Sequence, residues 1–595
     1  MKKYSDQFMD WLVEAGYTHC FFVAGGNAMH LIESASSRFT CIPTIHEVGA
    51  GIATDYFNEI CRPEERAFVI VTAGPGITNA VTAISSAWIE SRELLVIGGQ
   101  AKSTELARHK VRQFGFQEVG GVDICRSITK ASFLLEKQMK RSDLFALVAL
   151  TKSPRKGPVF IEFCLDISMQ KTLPETLEIE NPPLSLDQLP RATSEQLEIV
   201  LGKLSQAKRP LFLIGAGVVR DKNDSAIEIL KSKGLPIATS FNGADRVGCD
   251  YAFYAGRPNW YGSRWANLIN QQADLVICLG TRLGIAQTGY NWDQYVPNGE
   301  VIQVDLDEYE LEKGTRHVDF PIRADANDFL ERLSNEIVTR DLPAISEWQN
   351  LITLIRADLA RPESSNSNSP QYLGLYNFIY ELMKVLRHDD VVTPSSSGGS
   401  YESFGRIMLN QTGQKIVTSH GLASMGFGLA GGIGMAFAYP DRRTVVLEGD
   451  GGFAQNFQEL GVVRSHNLNM KIFIMDNGSY ASIRANQKSA FNNHYIGCDR
   501  ETGLWFPDWA IIGKAFDLET FIVTPETAFD ADFMSHLNSE TPVVFIVKND
   551  PDQISAPRIS SRINSEGIVE SNPLHKMEPP LSTEEYRRYV PHLPE

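Results

Sequence analysis

Long hydrophobic runs are missing. No apolar stretch is long enough to span a bilayer, which argues against a helical membrane protein. Cysteine is scarce and scattered: Cys20, Cys41, Cys61, Cys125, Cys164, Cys249, Cys278 and Cys498 include no CxxC pair and no Cys/His cluster at zinc spacing, so they read as reduced, mostly buried thiols. Positive charge is also short. With 56 Lys and Arg against 72 Asp and Glu, the formal charge of −16 repels a polyanionic backbone and argues against nucleic acid as a partner, while leaving room for one phosphorylated ligand in a local electropositive site. Behind Lys2 and Lys3 there is no signal-like apolar core, because Asp6, Asp10 and Glu14 interrupt it. The expectation is a cytoplasmic protein that acts on small molecules, with no membrane partner.

What is present is α/β patterning. A chain of 595 residues exceeds what one core supports, so several domains are expected. Short β-branched runs such as Ala67–Val71, 211–214 and 444–447 look like buried parallel strands, and helical stretches alternate with them. The fold class expected is therefore α/β, with three doubly wound domains of mainly parallel sheets. Their expected bounds are 1–170, 190–340 and 371–550, followed by a tail, 551–595, too poor in apolar residues for a core of its own. Thr172–Pro190 reads as a linker, and the Ser/Asn-rich run Arg361–Pro370 as an exposed, mobile break.

The strongest motif is Val445-Val446-Leu447-Glu448-Gly449-Asp450-Gly451-Gly452, followed by Lys471-Ile472-Phe473-Ile474-Met475-Asp476-Asn477-Gly478. Both read as strands ending in an acid or amide beside glycine, with a helix-like Gln455–Arg464 between them. That βαβ unit puts Asp450 and Asn477 at the carboxyl ends of parallel strands, where such sheets bind ligands. Oxygen ligands of this kind suit Mg²⁺ shared with phosphate oxygens, and Gly449, Gly451 and Gly452 allow a diphosphate close to the backbone. Taken alone, Gly-Asp-Gly is also an ordinary turn. The 27-residue spacing from Asp450 to Asn477 makes the difference.

That pattern resembles the cofactor signature of thiamine-diphosphate enzymes, over most of the chain. The resemblance implies a pyrimidine-binding domain, a central domain and a diphosphate-binding domain, with Mg²⁺ held by Asp450, Asn477 and the main-chain carbonyl of Ser479. Asp476 stands where relatives carry a first Asn. Ser419-His420-Gly421-Leu422-Ala423-Ser424-Met425-Gly426 is similar to the segment beneath the cofactor, in which Met425 would prop the two rings into a V and Ala423 would accept a hydrogen bond. His420 replaces a common Gly, as a substrate contact or as filler. Further cofactor contacts implied are Thr72, Pro75, Asn79, Ser397, Gly398, Tyr480 and Ala481.

Activation of this cofactor requires a carboxyl group, shielded from water, that shares a proton with the pyrimidine. In Thr44-Ile45-His46-Glu47-Val48-Gly49-Ala50-Gly51, Glu47 sits between an apolar strand and a helix of small residues. By itself it could be a first-turn acid favoured by the helix dipole. By resemblance it is the activating acid, and it meets Asp450 across a subunit interface, which implies a homodimer or homotetramer.

Thr72-Ala73-Gly74-Pro75-Gly76-Ile77-Thr78-Asn79, Gly99-Gln100 and Gln113-Phe114-Gly115-Phe116-Gln117-Glu118 look like acetohydroxyacid synthase. The resemblance implies decarboxylation of a 2-oxo acid, pyruvate being the expected donor, and carboligation to a second carbonyl. Gln117 and Phe116 would border the reaction space, with Asn27 beside Gly25 and Gly26; Phe116 could equally be core packing. Simple decarboxylases carry a His pair and a Glu after the metal Asn, whereas His109 has no adjacent His and Tyr480–Arg484 no acid. Gly215-Ala216-Gly217 lacks the third glycine of a dinucleotide fingerprint, and Arg282–Gly289 echoes a flavin-contacting stretch without its acidic pair, so FAD stays open. The tail, with Ser571-Asn572-Pro573-Leu574, resembles synthase-like proteins of surface-polysaccharide biosynthesis, which implies a nucleotide-linked keto sugar as acceptor. A decarboxylase or lyase releasing an aldehyde, and a non-catalytic cofactor-binding paralogue, are the alternatives.

Overall fold

The computed structural model describes residues 2–177, 189–314, 317–553, 555–563, 565–567 and 569–594. Three parallel sheets organise them. The first contains β1 (His19–Phe22), β2 (Thr40–Pro43), β3 (Ala67–Val71), β4 (Leu94–Gln100), β5 (Ala131–Leu135) and β6 (Pro158–Cys164) in the order β2-β1-β3-β4-β6-β5. The second contains β7 (Pro210–Ile214), β8 (Ile237–Thr239), β9 (Leu275–Leu279), β10 (Glu300–Asp305) and β11 (Phe320–Arg323), ordered β11-β10-β9-β7-β8. The third contains β12 (Val391–Thr393), β13 (Lys415–Ile416), β14 (Thr444–Gly449), β15 (Met470–Asp476), β16 (Glu519–Val523) and β17 (Val543–Lys548), ordered β13-β12-β14-β15-β17-β16. Every residue of β3, β7 and β9 is buried, as expected for strands covered by helices on both faces. The α/β class with three mainly parallel sheets is thus as the sequence patterning anticipates.

The first and third sheets share one strand order, and in both a helix follows the edge strand: Glu47–Ile60 after β2 and Phe427–Ala438 after β13. These two helices pack on each other and join the two domains into one apolar core. Glycine within a helix costs roughly 0.5–1 kcal/mol relative to Ala, yet the second helix carries several. The contact explains two of them: a Cβ on Gly434 would stand 2.0 Å from the Ala53 carbonyl oxygen, and one on Gly431 would stand 2.3 Å from the Tyr56 ring.

A buried ionic junction ties the domains further. Arg92 donates to Asp55 (3.2 Å) and to the Thr418 carbonyl (2.6 Å), while Arg220 donates to Asp245 (2.7 Å) and the Ile416 carbonyl (2.9 Å) and pairs with Glu59. The strand β13 and the loop after it are therefore anchored by the other two domains.

Two expectations need correction, and a third gains detail. The tail, too poor in apolar residues for a core of its own, packs onto the central domain, where Ile559, Leu574, Met577, Tyr589, Val590 and Leu593 join that domain's core and cover the wholly buried helix Arg264–Gln272. That helix is polar by sequence, and the tail satisfies it, since Arg264 donates to the Pro579 carbonyl (2.7 Å) and Gln272 to that of Tyr589 (2.9 Å). The run Arg361–Pro370 is not all exposed, because Asn366 is buried and donates to the Ala556 carbonyl at 2.8 Å. The helix Ser346–Leu359 packs Trp348, Ile352 and Ile355 into the central core, beyond the expected limit at 340. The linker expectation falls largely on 178–188, outside the described residues. No described helix is long and apolar enough to cross a membrane.

Candidate active site

The carboxyl edge of the third sheet places Asp450 directly after β14 and Asn477 directly after β15. Asp450 is 1% exposed, and its oxygens accept the N–H groups of Gly451 (2.7 Å), Asn477 (3.1 Å) and Gly478 (2.6 Å). Burial, helped by the charge of Asp476, pushes its pKa up to about 7, while Asp476 itself pairs with Lys548. A nearby divalent cation would reverse that penalty by favouring the charged form. The Asn477 side-chain oxygen accepts from the Ser479 N–H (3.0 Å) and hydroxyl (2.8 Å), which folds the turn back over itself. Gly451 lies under Tyr480, where a Cβ would stand 2.4 Å from the ring, and Ala481 opens the next helix. Asp450, Asn477 and the Ser479 carbonyl could hold Mg²⁺ together with diphosphate oxygens, a donor set of hard oxygens. Among the described residues there is no cluster of three His, Cys, Asp or Glu that could replace it.

The Met425 loop runs beside this edge. Ala423 sits in left-handed backbone at φ 52°, which costs a non-glycine residue about 1–2 kcal/mol, and Gly426 follows at φ 85°. Strain of this kind persists where surrounding bonds dictate it. Here Asn456 donates to the Gly426 carbonyl (2.7 Å), Ser396 donates to that of Ser424, and Glu448 accepts the Gly428 and Leu429 N–H groups. Glu448 is buried, and that pushes its pKa up to about 7. Ser397 precedes the helix Gly398–Arg406, with Gly398 at φ 70°. Ala423 is exposed and Met425 half-buried.

The first sheet gathers its candidates at its own carboxyl edge. Glu47 opens its helix, is 8% exposed and accepts from the Asn79 amide at 3.0 Å. Pro75 opens the helix that carries Asn79. Asn27 donates to the Phe116 carbonyl at 3.2 Å, a Cβ on Gly25 would collide with Thr72, and Gly74 at φ 62° lies against the Gln117 carbonyl. Gln117 is itself left-handed at φ 57°, and the buried Thr72 hydroxyl has no partner. Phe116 is 80% exposed, which rules out the core-packing reading within one chain.

His420 lies at the junction of the three domains. Its Nδ1 meets the Tyr401 hydroxyl, its ring centroid is 4.7 Å from that of Phe241, and burial lowers its pKa to about 4, so the imidazole is neutral. Beside it Glu90 accepts from the Gly421 N–H and from Asn242, again joining three domains. Glu90, Arg92, Glu448, Asn456 and Glu459 escaped the sequence reading: they bond backbone far away in the chain, and no local pattern marks that. Glu47 and Asp450 stand on different sheets, and among the described residues no hydrogen bond or ion pair links them within one chain.

In the central domain, Gly215-Ala216-Gly217 packs on Gly280, where a Cβ on Gly215 would stand 2.2 Å from the Gly280 oxygen. The N–H groups of Gly215, Gly217 and Val219 bond Leu279, Gly280 and Asn327 of the same chain. Along Arg282–Gly289, the Ala286 carbonyl accepts from Trp260 N–H (2.8 Å), and Leu574 of the tail covers Gly289.

Comparison with known proteins identifies the three domains. Residues 2–119, 197–333 and 397–547 match, in turn, the N-terminal TPP binding domain, the central domain and the C-terminal TPP binding domain of thiamine pyrophosphate enzymes. The chain is 27% identical to the acetolactate synthase isozyme 1 large subunit of Escherichia coli over 90% of its own length and 92% of that protein. It is 28% identical to the isozyme 2 large subunit over 85% and 88%, and 26% identical to the acetolactate synthase large subunit of Lactococcus lactis over 95% and 96%. The chain belongs to the thiamine pyrophosphate enzymes and is a thiamine-diphosphate-dependent carboligase or decarboxylase of acetolactate synthase-like type.

Proposed function

We propose that this enzyme, a cytoplasmic protein, decarboxylates pyruvate and transfers the two-carbon unit to a second carbonyl, using sites shared between two copies of the chain. The cofactor, once bound, supplies the carbon nucleophile and stores the electrons released with CO₂. Asp450, Asn477 and the Ser479 carbonyl would hold Mg²⁺ and with it the diphosphate; Met425 would support the cofactor; Glu47, contributed by the partner copy and oriented by Asn79, would exchange a proton with the pyrimidine. Asn27, Phe116 and Gln117 form the wall of the reaction space and exclude water from it. The observation that carries the reading is the pairing of a buried, glycine-flanked Asp450 with the Asn477 turn at the carboxyl edge of one sheet, while Glu47 stands at the equivalent edge of a topologically identical sheet.

Ligation is favoured over aldehyde release because the His pair and the acid after the metal Asn that simple decarboxylases carry have no counterpart at His109 and 480–484. His109 is an exposed residue facing Asp123, and Arg484 is engaged by Asp499 and Asp552. A flavin is not part of this reading: the N–H groups of Gly215 and Gly217 bond the Leu279 and Gly280 carbonyls of the same chain, and Leu574 of the tail packs on Gly289. The proposed acceptor is a nucleotide-linked keto sugar, which rests on the tail's likeness to proteins of surface-polysaccharide biosynthesis. The test is turnover of pyruvate by the Mg²⁺–cofactor-loaded enzyme with an acceptor panel, scored by mass spectrometry. Ligated product supports the proposal; acetaldehyde alone with every acceptor overturns it.

A further inference from the structure

Glu459 has no place in the site just described. It lies nine positions beyond Asp450, wholly buried, in the segment that starts at the metal-binding edge. Its two carboxylate oxygens reach into the first domain, where Oε1 accepts the His46 N–H at 2.9 Å and Oε2 the Ile45 N–H at 3.2 Å. Those are the two residues immediately before Glu47. Gly49 completes the contact, because a Cβ there would stand 2.7 Å from Glu459 Oε1. The remaining polar groups of the turn close on themselves, with the Thr44 hydroxyl donating to the His46 carbonyl (3.2 Å) and His46 Nδ1 accepting the Val48 N–H (3.2 Å).

From this geometry we infer that Glu459 is the positioning residue for Glu47 of its own chain. A bidentate acceptor on two successive N–H groups fixes both the height and the rotation of the helix entry, which one hydrogen bond would not. Burial pushes the Glu459 carboxyl up to about 7 against the pull of the two N–H groups, so its place is held by geometry and not by the comfort of the charge. Three residues earlier in the same segment, Asn456 holds the Gly426 carbonyl beside Met425. One short segment thus braces the cofactor-supporting loop of its own diphosphate site and the activating acid that, on the proposed reading of shared sites, serves the partner's site.

The experiment uses full-length chains with distinct tags, co-expressed and purified as mixed dimers with cofactor and Mg²⁺. E459Q keeps the volume but presents an amide donor to one of the two N–H groups. As a homodimer it is expected to lose about 100-fold in kcat, the scale set by a 1 Å misplacement, with cofactor affinity and melting temperature close to wild type. The mixed dimer E47Q with D450N tests the shared site itself, and regains about half of wild-type activity if that site is correct. D450N with E459Q should likewise regain about half, since one site then has an intact Glu459-braced Glu47 and an intact Asp450. E47Q with E459Q should not recover. Recovery in E47Q with E459Q but not in D450N with E459Q would place the role of Glu459 in its own diphosphate site and overturn the inference. If E47Q with D450N fails, the shared site falls, and wild-type turnover by E459Q then disposes of the Glu459 role separately.

Discussion

Removing Arg92 should unfasten the domain junction in a pH-dependent way. Its guanidinium, 4% exposed, lies between Asp55, Glu59, the Thr418 carbonyl and the Tyr56 ring. Asp55 is wholly buried, and burial outweighs the attraction of Arg92 so that its pKa rises from 3.8 to about 6. A rise of that size corresponds to about 3 kcal/mol disfavouring the charged form. Arg92→Ala takes away the compensating cation and adds a cost of about 3–5 kcal/mol, the usual penalty for breaking a buried pair from one side. The sign follows from linkage: an acid whose folded pKa lies above its unfolded one penalises the fold when ionised, so stability falls as pH rises through the folded value and recovers on protonation. Melting curves of Arg92→Ala and wild type should therefore lie far apart at about pH 8 and closer at about pH 5.5. Asp55→Asn in the Arg92→Ala background should recover part of the loss at the higher pH. A variant that melts like wild type at both pH values would refute the reasoning, as would a gap that widens on acidification.

Asp450→Asn should fold with unchanged or raised melting temperature, since it removes a buried carboxylate, but should lose the stabilisation that cofactor and Mg²⁺ confer, about 2.7 kcal/mol at a ligand concentration one hundred times Kd; thermal shift with and without ligand reads this. Glu47→Gln should keep cofactor binding by calorimetry while turnover falls at least 100-fold, on the scale of lost acid–base catalysis. Deleting the chain from residue 555 strips Leu574, Met577, Tyr589, Val590 and Leu593 from the central core, each worth about 1.5–3 kcal/mol when fully buried; a lower melting temperature and aggregation are expected, and a soluble variant with wild-type melting would contradict the packing. Protein purified from flavin-supplemented cells should show no visible flavin band and no change in melting with added FAD.

The sequence by itself determined the elements whose signal is local. The β-branched runs mark strands because each is buried on both faces, and Gly449-Asp450-Gly451 with Asn477 is legible because a strand end, a glycine and an oxygen ligand stand within a few residues of each other. Glu47 reads from its local setting only as a first-turn acid, and it is singled out by the resemblance of its segment to the pyrimidine-binding domain. Only the tertiary structure decided what holds these groups. Glu459 reaches Ile45 and His46 from over 400 positions away, Arg92 anchors Thr418, and a tail too poor in apolar residues for a core of its own joins the central core over a helix that offers matching amides. Such contacts depend on chain segments that meet only after folding. Periodicity and spacing record a residue's own helix or strand, not the distant backbone its side chain will meet.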